Sequence, residues 1–229
     1  MSPSNPRFDN LSVISTLALK GVLDAAAPAH LCGLRVEFHA TQALLKDIAA
    51  GKSADVVILT DEGIAELSGK GFLRAGTAMK LGRSGVGLAV RAGAGKPDVS
   101  SLDALKKTLV AADSVGHSRM GASGLYFAGL LERLGLADKL KKRVIVDKGP
   151  VAAGVASGEI QLGAQLLCEL APVKGIDIVG PLPDEVQKFY SFSAAVMAKG
   201  AKAQGAKAFL DFLRTDAVRA EMRRNYLQP

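Results

Sequence analysis

A chain of 229 residues, 48% hydrophobic and 22% charged, is long enough for one large or two small domains with a sizeable core. Its formal net charge of +7 suits anionic ligands. Nucleic acid is not an expected partner: aromatic residues make up only 5%, tryptophan is absent, and no helix-turn-helix, zinc-finger or RNA-recognition signature accompanies the charge.

Three apolar runs open the chain, and each stops at short polar residues before a helical pattern. Residues 11–14 run into Ser15 and Thr16, 34–38 into His39, Thr41 and Gln42, and 54–59 into Thr60 and Asp61. Strand ends that feed helix starts leave backbone N–H groups and hydroxyls pointing at one crevice, which holds an anion without a buried cation. The helices between them are read at 17–26, 43–50 and 61–67. A strand follows at 86–90, then a Gly-rich turn and a helix from Ser100 or Ser101 to about Leu109. A strand at 110–115 ends at Gly116, His117 and Ser118. Residues 122–134 carry Leu125, Ala128, Leu131 and Leu134 along one helical face. A strand at 143–146 leads through Lys148, Gly149 and Pro150 into a helix at 151–157. Strands at 161–164, 176–179 and 190–197 and two helices, 204–213 and 216–226, complete the chain. This βαβα rhythm predicts mostly parallel sheets covered by helices. Nine strands are too many for one compact sheet of this length, so the expected division is residues 1–83 plus 190–229 against 84–189.

Several of these segments resemble the molybdate-binding branch of the type II periplasmic binding proteins. The resemblance lies in Ala54-Asp55-Val56-Val57-Ile58-Leu59-Thr60-Asp61 with Lys70-Gly71-Phe72-Leu73, in Thr41-Gln42-Ala43-Leu44-Leu45-Lys46, in Ala122-Ser123-Gly124-Leu125-Tyr126 and in Gly149-Pro150-Val151-Ala152-Ala153-Gly154. They come in the family's order and span nearly the whole chain. The resemblance implies a two-lobe α/β fold with an interlobe ligand cleft that clamps an oxyanion through hydroxyls and N–H groups. Carried over residue by residue, it implicates Ser15 or Thr16, Thr41 with Gln42, Ser123 and Val151. Where the family places a tyrosine, this chain reads Gly163-Ala164-Gln165-Leu166-Leu167-Cys168-Glu169-Leu170. That pattern, with Pro172-Val173-Lys174-Gly175-Ile176 and Gly180-Pro181-Leu182-Pro183, is similar to a divergent subgroup around aconitate isomerase. It implies an organic polycarboxylate ligand rather than molybdate.

Three functions follow as expectations. One is simple binding of a small anion, with a transporter permease as partner if the protein is exported. The second is an isomerase that shifts a proton within an unsaturated tricarboxylate, and the third is an intracellular ligand sensor. A proton shift needs a base and donors for the developing charge. His39 and His117 are the candidate bases. Ser118, Arg119, Lys148 and Gln165 join the candidate ligand-binding set, because arginine grips carboxylates bidentately. Glu169 is read as starting a helix that leads away from the ligand, and His30 as a loop residue without a role. No metal or other cofactor is expected, since three histidines and two cysteines lie scattered without ligand spacing. Cys32 and Cys168 are read as free buried thiols, although spacing alone leaves their pairing open. The polar start lacks a secretion signal, and no apolar run reaches membrane-spanning length. The expected location is the cytoplasm, or the periplasm if a leader has been removed.

Overall fold

The computed structural model describes residues 7–28, 32–147 and 149–229. His30 and Lys148, both weighed above, lie outside the described residues. The chain divides into two compact units: unit 1 comprises Met1–Arg83 and Tyr190–Pro229, and unit 2 is Ser84–Phe189.

Unit 1 is built on strands β1 (Leu11–Thr16), β2 (Leu34–His39) and β3 (Val56–Thr60), all parallel, with β9 (Phe189–Val196) antiparallel on β3. Helices α1 (Lys20–Ala26), α2 (Thr41–Ala49) and α3 (Asp61–Gly69) follow the three parallel strands, and α8 (Ala203–Leu213) and α9 (Asp216–Arg224) follow β9. Alternation along a strand sends successive side chains to opposite faces. Ile14, Val57 and Leu59 therefore share a core with Leu44, Leu45 and Ile48 of α2 and Ile64 and Leu67 of α3. Phe8 and Phe209 meet edge to face at 5.2 Å.

In unit 2, β5 (Val115–Ser118) lies between β6 (Arg143–Val146) and β7 (Leu162–Leu166), all parallel. The later part of β4 (Met79–Arg91) runs antiparallel to both β7 and β8 (Ile176–Pro181). Helices α4 (Leu102–Ala111), α5 (Ala122–Arg133), α6 (Val151–Ser157) and the single turn α7 (Leu167–Leu170) connect them. Ser101 caps α4 by accepting from the Ala104 N–H at 3.2 Å.

The α/β class and the parallel strands are as expected. One element moved. Residues 110–115 were expected as a strand, but Val110 and Ala111 complete the last turn of α4, and the strand is Val115–Ser118. Gly116, where the expected strand ended, lies within the strand, and only glycine fits there because a Cβ would stand 2.6 Å from Ile160. His117, expected at a strand end, lies inside that strand.

Candidate functional site

In unit 1 the carboxyl ends of β1, β2 and β3 share one edge, since Thr16 pairs with His39 and Ser15 with Phe38 and Ile58. Ser15 and Thr16 are buried. The Ser15 hydroxyl donates to the Thr16 carbonyl at 2.9 Å, and Thr16 leads into a tight 3₁₀ turn, Leu17–Leu19, without a side-chain cap. Thr41 is the first residue of α2 and half-buried; its methyl lies against Gly63 at the start of α3. Gln42 is exposed. Ala40 at the N-cap of α2 supplies no side-chain acceptor, so the first amides of the helix face outward from the edge without one.

His39 is exposed, with Nε2 3.1 Å from the Glu37 carboxylate two residues earlier on the same strand face. Lys52 also donates to Glu37. The lysine's hydrogen bond is the main influence holding that carboxyl below its ordinary value. The same edge carries a pair not anticipated from sequence: the Ser193 hydroxyl donates to Asp61 at 2.6 Å. Ser193 lies on β9, opposite Leu59, so only the antiparallel pairing of β3 and β9 reveals it.

In unit 2 the carboxyl edge brings together Ser118 at the end of β5, Arg119 just after it, Gln165 near the end of β7, and the starts of α5 and α6. Ser123 and Val151 are buried in the first turns of those helices. Ser118 packs under the α5 turn, where Gly121 and Gly124 leave room for its hydroxyl. Arg119 is exposed and ion-paired with Asp147.

His117 lies beneath α5, 3% exposed, with its ring 6.1 Å from that of Phe127. Both nitrogens are engaged: Nδ1 is 3.0 Å from the Ser118 carbonyl, and Nε2 accepts from Arg143 at 2.9 Å. A nitrogen accepting from guanidinium must be unprotonated, and the other then carries the hydrogen given to the carbonyl. Burial first, then the charges of Arg143 and Arg119, hold this imidazole below its usual range, partly offset by the Ser118 carbonyl. The expectation of His117 as a base thus meets a ring whose lone pair is already occupied. Protonation favours the unfolded chain, so stability contributed by neutral His117 is complete above 6.5 and is lost as pH falls below it toward the lowered folded value. Urea titrations at several pH values should show this slope, and His117→Gln should flatten it.

Gln165 was expected among the ligand groups, and the structure joins it to Glu169. The buried Gln165 amide accepts from the Ala152 N–H at 3.1 Å and donates to the Glu169 carboxylate at 2.8 Å. Glu169, expected at the start of a helix leading away from the ligand, stands in the single turn α7, and its side chain folds back to Gln165 of β7. Desolvation raises the Glu169 pKa, with the Gln165 hydrogen bond opposing. The signal for this pair was the Gln-x-x-x-Glu spacing. Cys32 and Cys168 are both free and buried. Among the described residues, no cluster of three or more histidine, cysteine or acidic side chains is placed to hold a metal, and no helix is long and apolar enough to cross a membrane.

Comparisons with known proteins agree with this architecture. Aconitate isomerase from Pseudomonas sp. is 37% identical over 222 residues, covering 92% of this chain and 84% of that protein. Among solved structures, the periplasmic molybdate-binding protein of Azotobacter vinelandii superposes with a TM-score of 0.77 at 21% identity, covering 96% of this chain and 99% of that one. A substrate-binding domain assigned to a molybdenum ABC transporter of Clostridium difficile gives 0.68 at 20% identity, over 95% and 97% of the two chains. At these identities the structures establish the type II periplasmic-binding-protein fold. Residues 11–228 match the family described as bacterial extracellular solute-binding protein, and the chain belongs to that family.

Proposed function

We propose that the protein binds an unsaturated tricarboxylate of the aconitate class and moves a proton along its carbon chain. The observation that carries this reading is the 37% identity to aconitate isomerase over 92% of the chain. The site chemistry supports it. Ser15, Thr16, Thr41 and Gln42 in unit 1, and Ser118, Arg119, Ser123 and Val151 in unit 2, are the proposed ligand contacts, with Gln165 behind them holding Glu169. Most are neutral donors, and N–H and O–H groups stabilise carboxylates and the enolate-like charge that forms when a neighbouring carbon loses its proton. Arg119 would exchange its solvent-exposed partner Asp147 for a substrate carboxylate, a trade of one charge-assisted contact for another.

A second reading, binding without catalysis, is supported by the family description alone. In it the protein delivers a small anion to a transporter permease. A thermal-shift panel of molybdate, sulfate, citrate, cis-aconitate and trans-aconitate separates the two. A ligand at about 100 times its dissociation constant stabilises by about 2.7 kcal/mol. We expect the aconitates to shift the midpoint and ultraviolet absorbance to record their interconversion. A shift without conversion would favour the second reading, and a shift with molybdate alone would sink the first.

A further inference from the structure

We infer that Glu169 is the residue that carries the proton in this reaction, with Gln165 as the group that positions it; the inference rests on the isomerase reading above. Three features of unit 2 support it. First, the Gln165 amide is locked at both ends. Its carbonyl is claimed by the Ala152 N–H, so its NH₂ end must face Glu169. Second, α7 leaves the Glu169 side chain one direction. Leu167, Cys168 and Leu170 are all buried, and the Cys168 N–H is tied to the Ser84 hydroxyl at 3.1 Å. Third, Glu169 is half-buried at the carboxyl edge of β7, its carboxyl largely shielded from water. One carboxylate oxygen is held by Gln165, and among the described residues no other side chain bonds to this carboxyl.

Gln165 is therefore a rigid bracket that presents a desolvated carboxyl to the edge where the substrate is proposed to bind. Desolvation keeps the group closer to neutrality in its proton affinity than an ordinary carboxylate, which suits a residue that must both take and return a proton. The titratable side chain interacting with it is the Cys168 thiol, which burial keeps protonated. The proton balance is closed. Glu169 takes a proton from the methylene carbon next to a substrate carboxylate, and the C–H pair becomes the new double bond. The pair of the old double bond takes the proton back from Glu169 at its far carbon. One C–H bond breaks, one forms, nothing is oxidised, and Glu169 ends as it began.

The test uses the whole protein with trans-aconitate and cis-aconitate as probes. Glu169→Gln should keep the dissociation constant for trans-aconitate within about threefold, while conversion falls by a factor of about 10² or more. Deuterium uptake by the methylene group in D₂O, followed by NMR, should disappear with it. Gln165→Leu gives an independent reading. It removes the hydrogen bond that favours the Glu169 carboxylate, so the acid limb of the kcat profile should move to higher pH. An active Glu169→Gln, or an acid limb unmoved by Gln165→Leu, overturns the assignment while leaving the isomerase reading intact. A wild-type protein that converts neither aconitate overturns the isomerase reading itself.

Discussion

Replacing Asp55 with alanine should lower the free energy of unfolding by about 3–5 kcal/mol, the loss typical when one partner of a buried, hydrogen-bonded charge is removed. Asp55 is 4% exposed at the start of β3. Its carboxylate accepts from the Ser12 N–H at 2.9 Å, the Ser12 hydroxyl at 2.7 Å and the Lys202 N–H at 2.9 Å. The Asp55 N–H returns a bond to the Ser12 hydroxyl at 3.0 Å. One side chain thus fastens β1, β3 and the segment that leads into α8. Alanine would leave these donors without an acceptor in a dry place, and that cost dominates over the small loss of packing. Asp55→Asn should fall between wild type and alanine, because one oxygen becomes an NH₂ facing donors. Burial pushes this carboxyl upward, but the donors outweigh it and its pKa is lowered from 3.8. The stabilisation is therefore complete above about 3.8 and is lost as pH falls through the lower folded value. Urea midpoints for the three proteins at pH 7 and pH 3 check both points. A loss below about 1 kcal/mol at pH 7 would refute the account.

Gly124→Ala should be the most damaging small change at the unit 2 edge. In an exposed helix this substitution stabilises by about 1 kcal/mol. Here the added Cβ would stand 2.1 Å from the Ser118 carbonyl oxygen and 2.3 Å from its hydroxyl oxygen. The hydroxyl can rotate away but the carbonyl is fixed backbone, so the first turn of α5 must move away from β5. Overpacking of this kind costs about 1–3 kcal/mol. The larger effect should be on ligand affinity, since Ser118 and Ser123 lie on the two sides of the displaced contact. A loss of tenfold or more, about 1.4 kcal/mol, is expected for trans-aconitate by titration calorimetry. Unchanged affinity and melting temperature together would show that the turn relaxes freely and positions nothing.

The parts of the molecule legible in the sequence were those written locally. The hydroxyl clusters after residues 14, 38 and 59 mark strand ends because an apolar run and a helix start meet there within a few residues. Parallel pairing then places Thr16 beside His39 without further information. The boundary near residue 110 was illegible, because a β-branched valine in the last helical turn looks like strand, and only the approach of Ile160 explains glycine inside β5. The partners that decide chemistry were harder still. Arg143 reaches His117 from 26 residues away and occupies its lone pair, and Ser193 meets Asp61 across 132 residues. Glu169 was visible in the Gln-x-x-x-Glu spacing, but a strand residue and a helix residue four apart have no fixed relation until the turn between them is known.

The chain leaves unit 1 within β4 and re-enters it at Tyr190. During synthesis, unit 2 emerges whole while unit 1 still waits for its last strand. Val56, Val57, Ile58 and Leu59 of β3 then present an unpaired apolar edge until residues 190–196 leave the ribosome and pair with it. Unit 1 is begun first and finished last, and that interval is when a nascent chain is most exposed to mispairing with its neighbours on the same message.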